Sequence, residues 1–167
     1  MDKVSEVREW IKHVSVKREE LGGHAICPYA FSASVHIEER ALNRVTLIEG
    51  ATEDIIIFIV EDNVTLASML NKVAELNMLH PDYVFLDDHK DEPTHIRGIQ
   101  TNLGKYNMIM CQRNDKLLEA REKLHKTDYY TYWHQEMYQR IINGKFTNRQ
   151  EQRIRRIWND THHSASE

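Results

Sequence analysis

The chain has 167 residues, a mass of 19.8 kDa and a formal charge of −4 from 22 basic and 26 acidic side chains. Apolar residues at 41% and charged residues at 29% exclude a disordered chain, and the longest apolar run, residues 55–60, falls far short of the ~20 residues that span a bilayer. Two cysteines, Cys27 and Cys111, exclude a disulfide framework, and residues 1–10 alternate charged and apolar side chains unlike a secretory signal, so a cytoplasmic protein is expected.

Val4, Val7, Ile11, Val14 and Leu21 recur at helical steps, with Trp10 beside them, and predict an amphipathic helix ended by Gly22-Gly23. A loop through Cys27-Pro28 follows. Alternation at Phe31, Ala33, Val35 and Ile37, repeated at Val45 and Leu47, predicts two half-buried strands. Residues 55–60 are unbroken and β-branched, which predicts a central strand buried on both faces. Asp62 or Asn63 is the expected cap of a second helix carrying Leu66, Met69, Leu70, Val73 and Leu76, stopped by His80-Pro81.

A short strand at 82–86, an acidic loop at 87–92 ending at Pro93, and a strand at 105–112 come next. Asn114 then opens a third helix with Leu117, Leu118, Ala120, Arg121 and Leu124. Tyr130, Trp133, Met137 and Ile141 predict a fourth helix, and Thr147 caps a fifth carrying Ile154, Ile157 and Trp158. The order predicts an α+β fold, an antiparallel or mixed sheet with helices packed on one side, plus a C-terminal helical extension. The expected organisation is an α+β domain over 1–126, an aromatic and basic extension over 127–160, and a flexible tail over 161–167.

Four features carry candidate chemistry. Cys27 lies three residues beyond His24 with Pro28 fixing its backbone; a neighbouring imidazolium would favour the thiolate, the nucleophilic and metal-ligating form. Its bland alternative is a small buried hydrophobe, which is how Cys111 is read. The segment 80–95 gathers His80, His89 and His95 with Asp82, Asp87, Asp88, Asp91 and Glu92, donors that suit a divalent metal, although the spacing matches no zinc signature. A solvated acidic loop is the competing reading. Gln100-Thr101-Asn102 forms a polar turn whose side chains suit a carboxylate or phosphate, with Arg113 as an anion partner. Finally, Arg140, Lys145, Arg149, Arg153, Arg155 and Arg156 face only Glu151, beside Tyr129, Tyr130, Tyr132, Trp133 and Tyr138. Residues 128–158 therefore suit RNA, an acidic protein, an anionic surface or a second copy of the chain. Packing of the aromatics or a solvated basic face is the competing and favoured reading, and the acidic remainder counts against nucleic acid.

Read together, these motifs resemble a family of bacterial proteins of unknown function marked by Leu-Cys-Pro-Phe-Ala after a Trp-bearing helix. Trp10 and Ile26-Cys27-Pro28-Tyr29-Ala30 are similar to that block. Leu79-His80-Pro81-Asp82-Tyr83-Val84-Phe85 is similar to the family's Phe-His-Pro and aromatic-x-Phe block, and Thr101-Asn102 with Tyr106 and Arg113 to its third. The resemblance covers residues 5–125. It departs at Leu103, Lys105, Asn107 and Met110, where the family carries an arginine, two prolines and often a histidine. What the resemblance implies is a cluster of Cys27, His80, Tyr83, Phe85, Thr101, Asn102, Tyr106 and Arg113.

The resulting expectation is a small-molecule, thiol-redox or metal site in which Cys27 and His80 meet, one as nucleophile or soft ligand and the other as base or co-ligand. Tyr83, Thr101, Asn102, Tyr106 and Arg113 would bind the ligand. The rival expectation is a non-enzymatic binding or assembly protein acting through residues 128–158.

Overall fold

The computed structural model describes residues 1–133 together with Tyr138. In chain order it forms α1 (Lys3–Ser15), β1 (Lys17–Arg18), β2 (His24–Ala25), β3 (Val35–Glu39), β4 (Ile55–Ile59), α2 (Leu66–Leu79), β5 (Tyr83–Asp88), β6 (His95–Ile96), β7 (Ile99–Gln100), β8 (Met108–Arg113) and α3 (Asn114–His125). The class is α+β. A mixed four-stranded sheet has the order β3-β4-β8-β5, with β3 parallel to β4 and β8 antiparallel to both its neighbours. Strands β4 and β5, joined through α2, thus run the same way with β8 inserted between them.

Every residue of β4 is buried, because each face of the strand meets its own helix. Ile56, Phe58 and Val60 pack with Met69, Val73 and Leu76 of α2, joined by Ile109 and Cys111 of β8 and Phe85 of β5. Ile55, Ile57 and Ile59 pack with Val7 of α1, Ile37 and Met108. Helices therefore cover both faces, where one covered face had been expected. The unbroken apolar run of β4 is the physical reason, since a strand with a wet face would alternate.

Several local expectations are revised. Helix α1 stops at Ser15, not at the glycines: residues 17–18 extend and pair antiparallel with His24-Ala25. Leu21 still reaches the core, from a 3-10 turn whose cap, Gly22, takes the left-handed φ of 63°. Phe31 is 77% exposed and lies in a 3-10 turn after Pro28, ahead of β3. No strand forms at Val45 and Leu47, because parallel β3 and β4 need a crossover rather than a hairpin, and residues 40–54 supply it with Val45 buried. The N-cap of α2 is Thr65, whose hydroxyl accepts from the Ser68 N–H at 3.1 Å. Beyond the acidic loop, β6 and β7 make a small hairpin closed by Arg97-Gly98, both at positive φ.

The polypeptide leaving α3 turns back at Tyr129–Tyr132. Tyr129 is buried, with its hydroxyl donating to the Ile26 carbonyl, and His24 contacts Asp128 at 2.7 Å. The helices expected around Met137, Ile141 and residues 147–158, and the tail 161–167, lie outside the described residues apart from Tyr138. Among the described residues, no helix is long and apolar enough to cross a membrane.

Candidate functional site

Alternation along β5 and β8 sends Val84, Leu86, Asp88 and Met108, Met110, Gln112 to the face that α1 shares. Helix α1 covers the β3–β4 half of that face. Over the β8–β5 half, a roof is built from the Cys27 loop, the β6–β7 hairpin, α3 and the Tyr129–Trp133 turn, with a cavity of about 520 Å³ beneath it. The roof has its own small core of Val14, Leu21, Ile26 and Ile96. It is tied to α1 by three hydrogen bonds: Trp10 Nε1 donates to the Thr101 carbonyl at 3.1 Å, the Cys27 N–H donates to the Val14 carbonyl at 2.8 Å, and His13 Nε2 meets the Gln100 carbonyl at 3.3 Å. A volume of this size suits a small organic ligand.

Aromatic and aliphatic side chains dominate the walls, with Trp10, Tyr29, Leu86, Met110, Tyr130 and Trp133 among them. Two sets of polar groups stand at opposite ends of the β5–β8 floor. At one end Asn102, buried, donates from Nδ2 to Asp88 Oδ1 at 3.3 Å and to the Glu92 carbonyl at 3.1 Å, while its Oδ1 accepts from the Thr94 N–H at 3.1 Å. Burial pushes the Asp88 carboxyl up to about 6, and the adjacent Asp87 adds to the rise. The Asn102 hydrogen bond and His89 oppose it. At the other end Gln112 is 8% exposed, and its buried Oε1 makes no hydrogen bond among the described residues. The Tyr29 hydroxyl is likewise buried without a partner, and burial lifts its pKa to about 12.

Cys27 lines this cavity. Burial pushes its thiol up, against the backbone N–H groups of Ala30 and Tyr29 that favour the thiolate. His24 does not activate it, because that imidazole faces Asp128 and stacks edge-on against Tyr129. The cysteine is therefore a protonated wall group at neutral pH.

The expected meeting of Cys27 and His80 does not occur. His80 caps the C-terminus of α2, its N–H donating to the Leu76 carbonyl at 2.9 Å, and its ring lies 5.9 Å from that of Phe85. Phe85 belongs to the α2 side, so the sheet stands between sulfur and imidazole. The two prolines restrain each residue locally but do not bring them together. Of the other expected ligand-binding residues, Thr101 and Asn102 line the cavity. Tyr83 packs on the α2 side. Tyr106 is held outside, its hydroxyl donating to Glu6 Oε2 at 2.8 Å, and Arg113 is exposed and bidentate on Asp115. The chain matches no protein-family model, no curated protein and no solved structure.

The residues expected to offer a metal are spent on the fold. His89 Nε2 meets the Val64 carbonyl at 2.7 Å and its Nδ1 accepts from the Asp91 N–H at 3.2 Å, so both ring nitrogens are engaged. His95 is exposed on the hairpin. Among the described residues, no three His, Cys, Asp or Glu side chains gather closely enough to hold a metal ion. Sequence reasoning missed Gln112, Asp88 as a site residue in its own right, and Arg121, which lines the cavity from α3. The signal for Gln112 was present: a polar residue that alternates with Met108 and Met110 on a buried strand.

Proposed function

We propose that this protein binds a small organic molecule, noncovalently, in the cavity between the β5–β8 floor and the roof that carries Cys27. The observation that carries this reading is Gln112, a residue lining the cavity of about 520 Å³ whose buried Oε1 has no partner among the described residues. A buried polar atom left unpaired costs about 1–3 kcal/mol, and a bound donor recovers that cost. Aromatic walls with a few placed polar groups are the usual make-up of a ligand pocket. The protonated Cys27 and the distant His80 give no support to a nucleophile–base pair, so binding rather than thiol chemistry is the reading that fits.

Trp10 and Trp133 in the walls make the cavity directly observable by fluorescence. The neutral probe N-phenyl-1-naphthylamine is expected to bind saturably, one per chain, with energy transfer from tryptophan. Ala120 lines the cavity from α3, so Ala120→Trp fills it and abolishes that binding while far-UV circular dichroism stays native. Absence of saturable binding, or binding that Ala120→Trp leaves intact in a folded protein, would refute the reading.

A further inference from the structure

The cavity floor has a polarity pattern that specifies its ligand further, given that it is a binding site. Leu86 and Met110 stand opposite each other at its centre and are apolar. Asp88 lies two residues along β5 in one direction, opposite Met108. Gln112 lies two residues along β8 in the other direction, opposite Val84. Val84 and Asp88 are four residues apart on one strand, so the two polar ends are separated by ~13 Å across an apolar middle.

Each end offers an acceptor. Asp88 Oδ1 takes one bond from Asn102, and no other hydrogen bond to this carboxylate is made among the described residues. Gln112 Oε1 takes none. The remaining charged groups of the lining are engaged: Asp87, Glu92 and Arg121 all have partners. Among the described residues, Asp88 and Glu92 line the cavity with one guanidinium, that of Arg121, while Asp87 belongs to the lining through β5 with its side chain on the alternate face. That guanidinium feels Tyr129 and Tyr130, whereas the charges acting on Asp88 are Asp87 and His89. The Asp88 end is thus the negative end of the cavity, and Arg121 does not neutralise it.

We propose that the ligand is an elongated, flat aromatic cation: an amidine or amine at one end meets Asp88, an aromatic body lies over Leu86–Met110, and an N–H or O–H at the far end donates to Gln112. Charge-assisted bonds to a buried carboxylate are the stronger of the two contacts, and the far-end bond sets the length. An anionic or a short ligand leaves one end unmet.

The inference rests on the binding reading and is separable from it by displacement of N-phenyl-1-naphthylamine. The probes are 4′-aminobiphenyl-4-carboxamidine, which carries both ends, and 4-aminobiphenyl, which lacks the cation. The amidine is expected to displace the dye about 10- to 100-fold more effectively, the span of a charge-assisted hydrogen bond. Asp88→Asn, which retains the acceptor for Asn102, is expected to erase that advantage. Gln112→Leu is expected to weaken the amidine about 5- to 10-fold, and to leave biphenyl-4-carboxamidine, which has no far-end donor, unchanged. If both probes displace the dye equally, or Asp88→Asn has no effect on the ratio, the cation assignment is overturned while the cavity reading stands. If the dye itself does not bind, both fall together.

Discussion

Strand β5 is an outer strand of the sheet, and the way its free edge is closed gives the sharpest test of the fold. Phe85 stands opposite Cys111 at a position where both of its backbone groups point away from β8. Asn77 of α2 answers both: Nδ2 donates to the Phe85 carbonyl at 3.0 Å, and Oδ1 accepts from the Phe85 N–H at 2.7 Å. Asn77 is 2% exposed and Phe85 is 0% exposed, so water cannot substitute. Asn77→Leu keeps the volume and removes both bonds. Each orphaned group costs about 1–3 kcal/mol; release from desolvating the amide offsets part, leaving a net loss of about 2–4 kcal/mol. With a urea m-value of ~1–3 kcal/mol/M, the midpoint is expected to fall by about 1–2 M, with m itself unchanged. Asn77→Asp separates the two bonds: it keeps the acceptor but turns a second oxygen toward the Phe85 carbonyl. Its deficit at pH 7 is expected to shrink on acidification, when the protonated carboxyl donates. Equilibrium urea unfolding followed by circular dichroism reads both variants. A midpoint change below about 0.3 M for Asn77→Leu would show that the Phe85 edge is closed by something other than this side chain.

Three further outcomes are expected. Burial raises the Asp88 carboxyl from 3.8 in the unfolded chain to about 6 in the folded one. Between these values only the folded state holds the proton, so this contribution to stability is full below about pH 4 and lost as the pH rises through about 6, about 3 kcal/mol in all. Asp88→Asn should flatten the profile between pH 4 and 6 relative to the parent, whereas parallel profiles would contradict the burial argument. Because burial raises the Cys27 thiol, maleimide or iodoacetamide labelling at pH 7.5 should be far slower than in urea-unfolded chain, and equal rates would refute its placement in the wall. Gly22→Ala forces a Cβ into the left-handed region and against the Tyr132 hydroxyl, so a loss of about 1–2 kcal/mol is expected in the same urea assay. An unchanged midpoint would mean that Tyr132 does not rest on this turn.

The elements that were legible in the sequence are those with one dominant period. Residues 55–60 read directly as a doubly buried strand, and the Leu66–Leu76 stripe and the His80-Pro81 stop as a helix and its end. What escaped depends on pairing across the chain. The Val45 and Leu47 alternation looks like a strand, yet this segment is taken up by the crossover that joins parallel β3 and β4, with Val45 packed into the α2-side core. Gly22-Gly23 looks like a helix end, but the local pairing of β1 with β2 uses the same glycines for a turn. The site shows the same division. Cys27, Thr101 and Asn102 face one cavity because the loop and hairpin fold over the same half of the sheet. His80 and Tyr83 are equally suggestive in chemistry, but a shift of one position along β5 changes the face, and the His80 ring lies against Phe85 on the other side. Gln112 belongs to no motif, and its alternation with Met108 and Met110 becomes informative only because β8 is an inner strand.

The insertion of β8 between β4 and β5 has a consequence for how the chain reaches its native state. The last strand of the sheet to leave the ribosome is an inner one, so a nascent chain that ends before Met108 exposes an isoleucine-rich β4 with only β3 beside it. Helix α2 can shield one side early, through contacts close in sequence, but closure must await residues some fifty positions downstream. During that interval the protein is most prone to pair with the wrong strand. Synthesis slowed ahead of this segment, or truncation within it, should send the chain to chaperones and proteases rather than to a smaller folded unit.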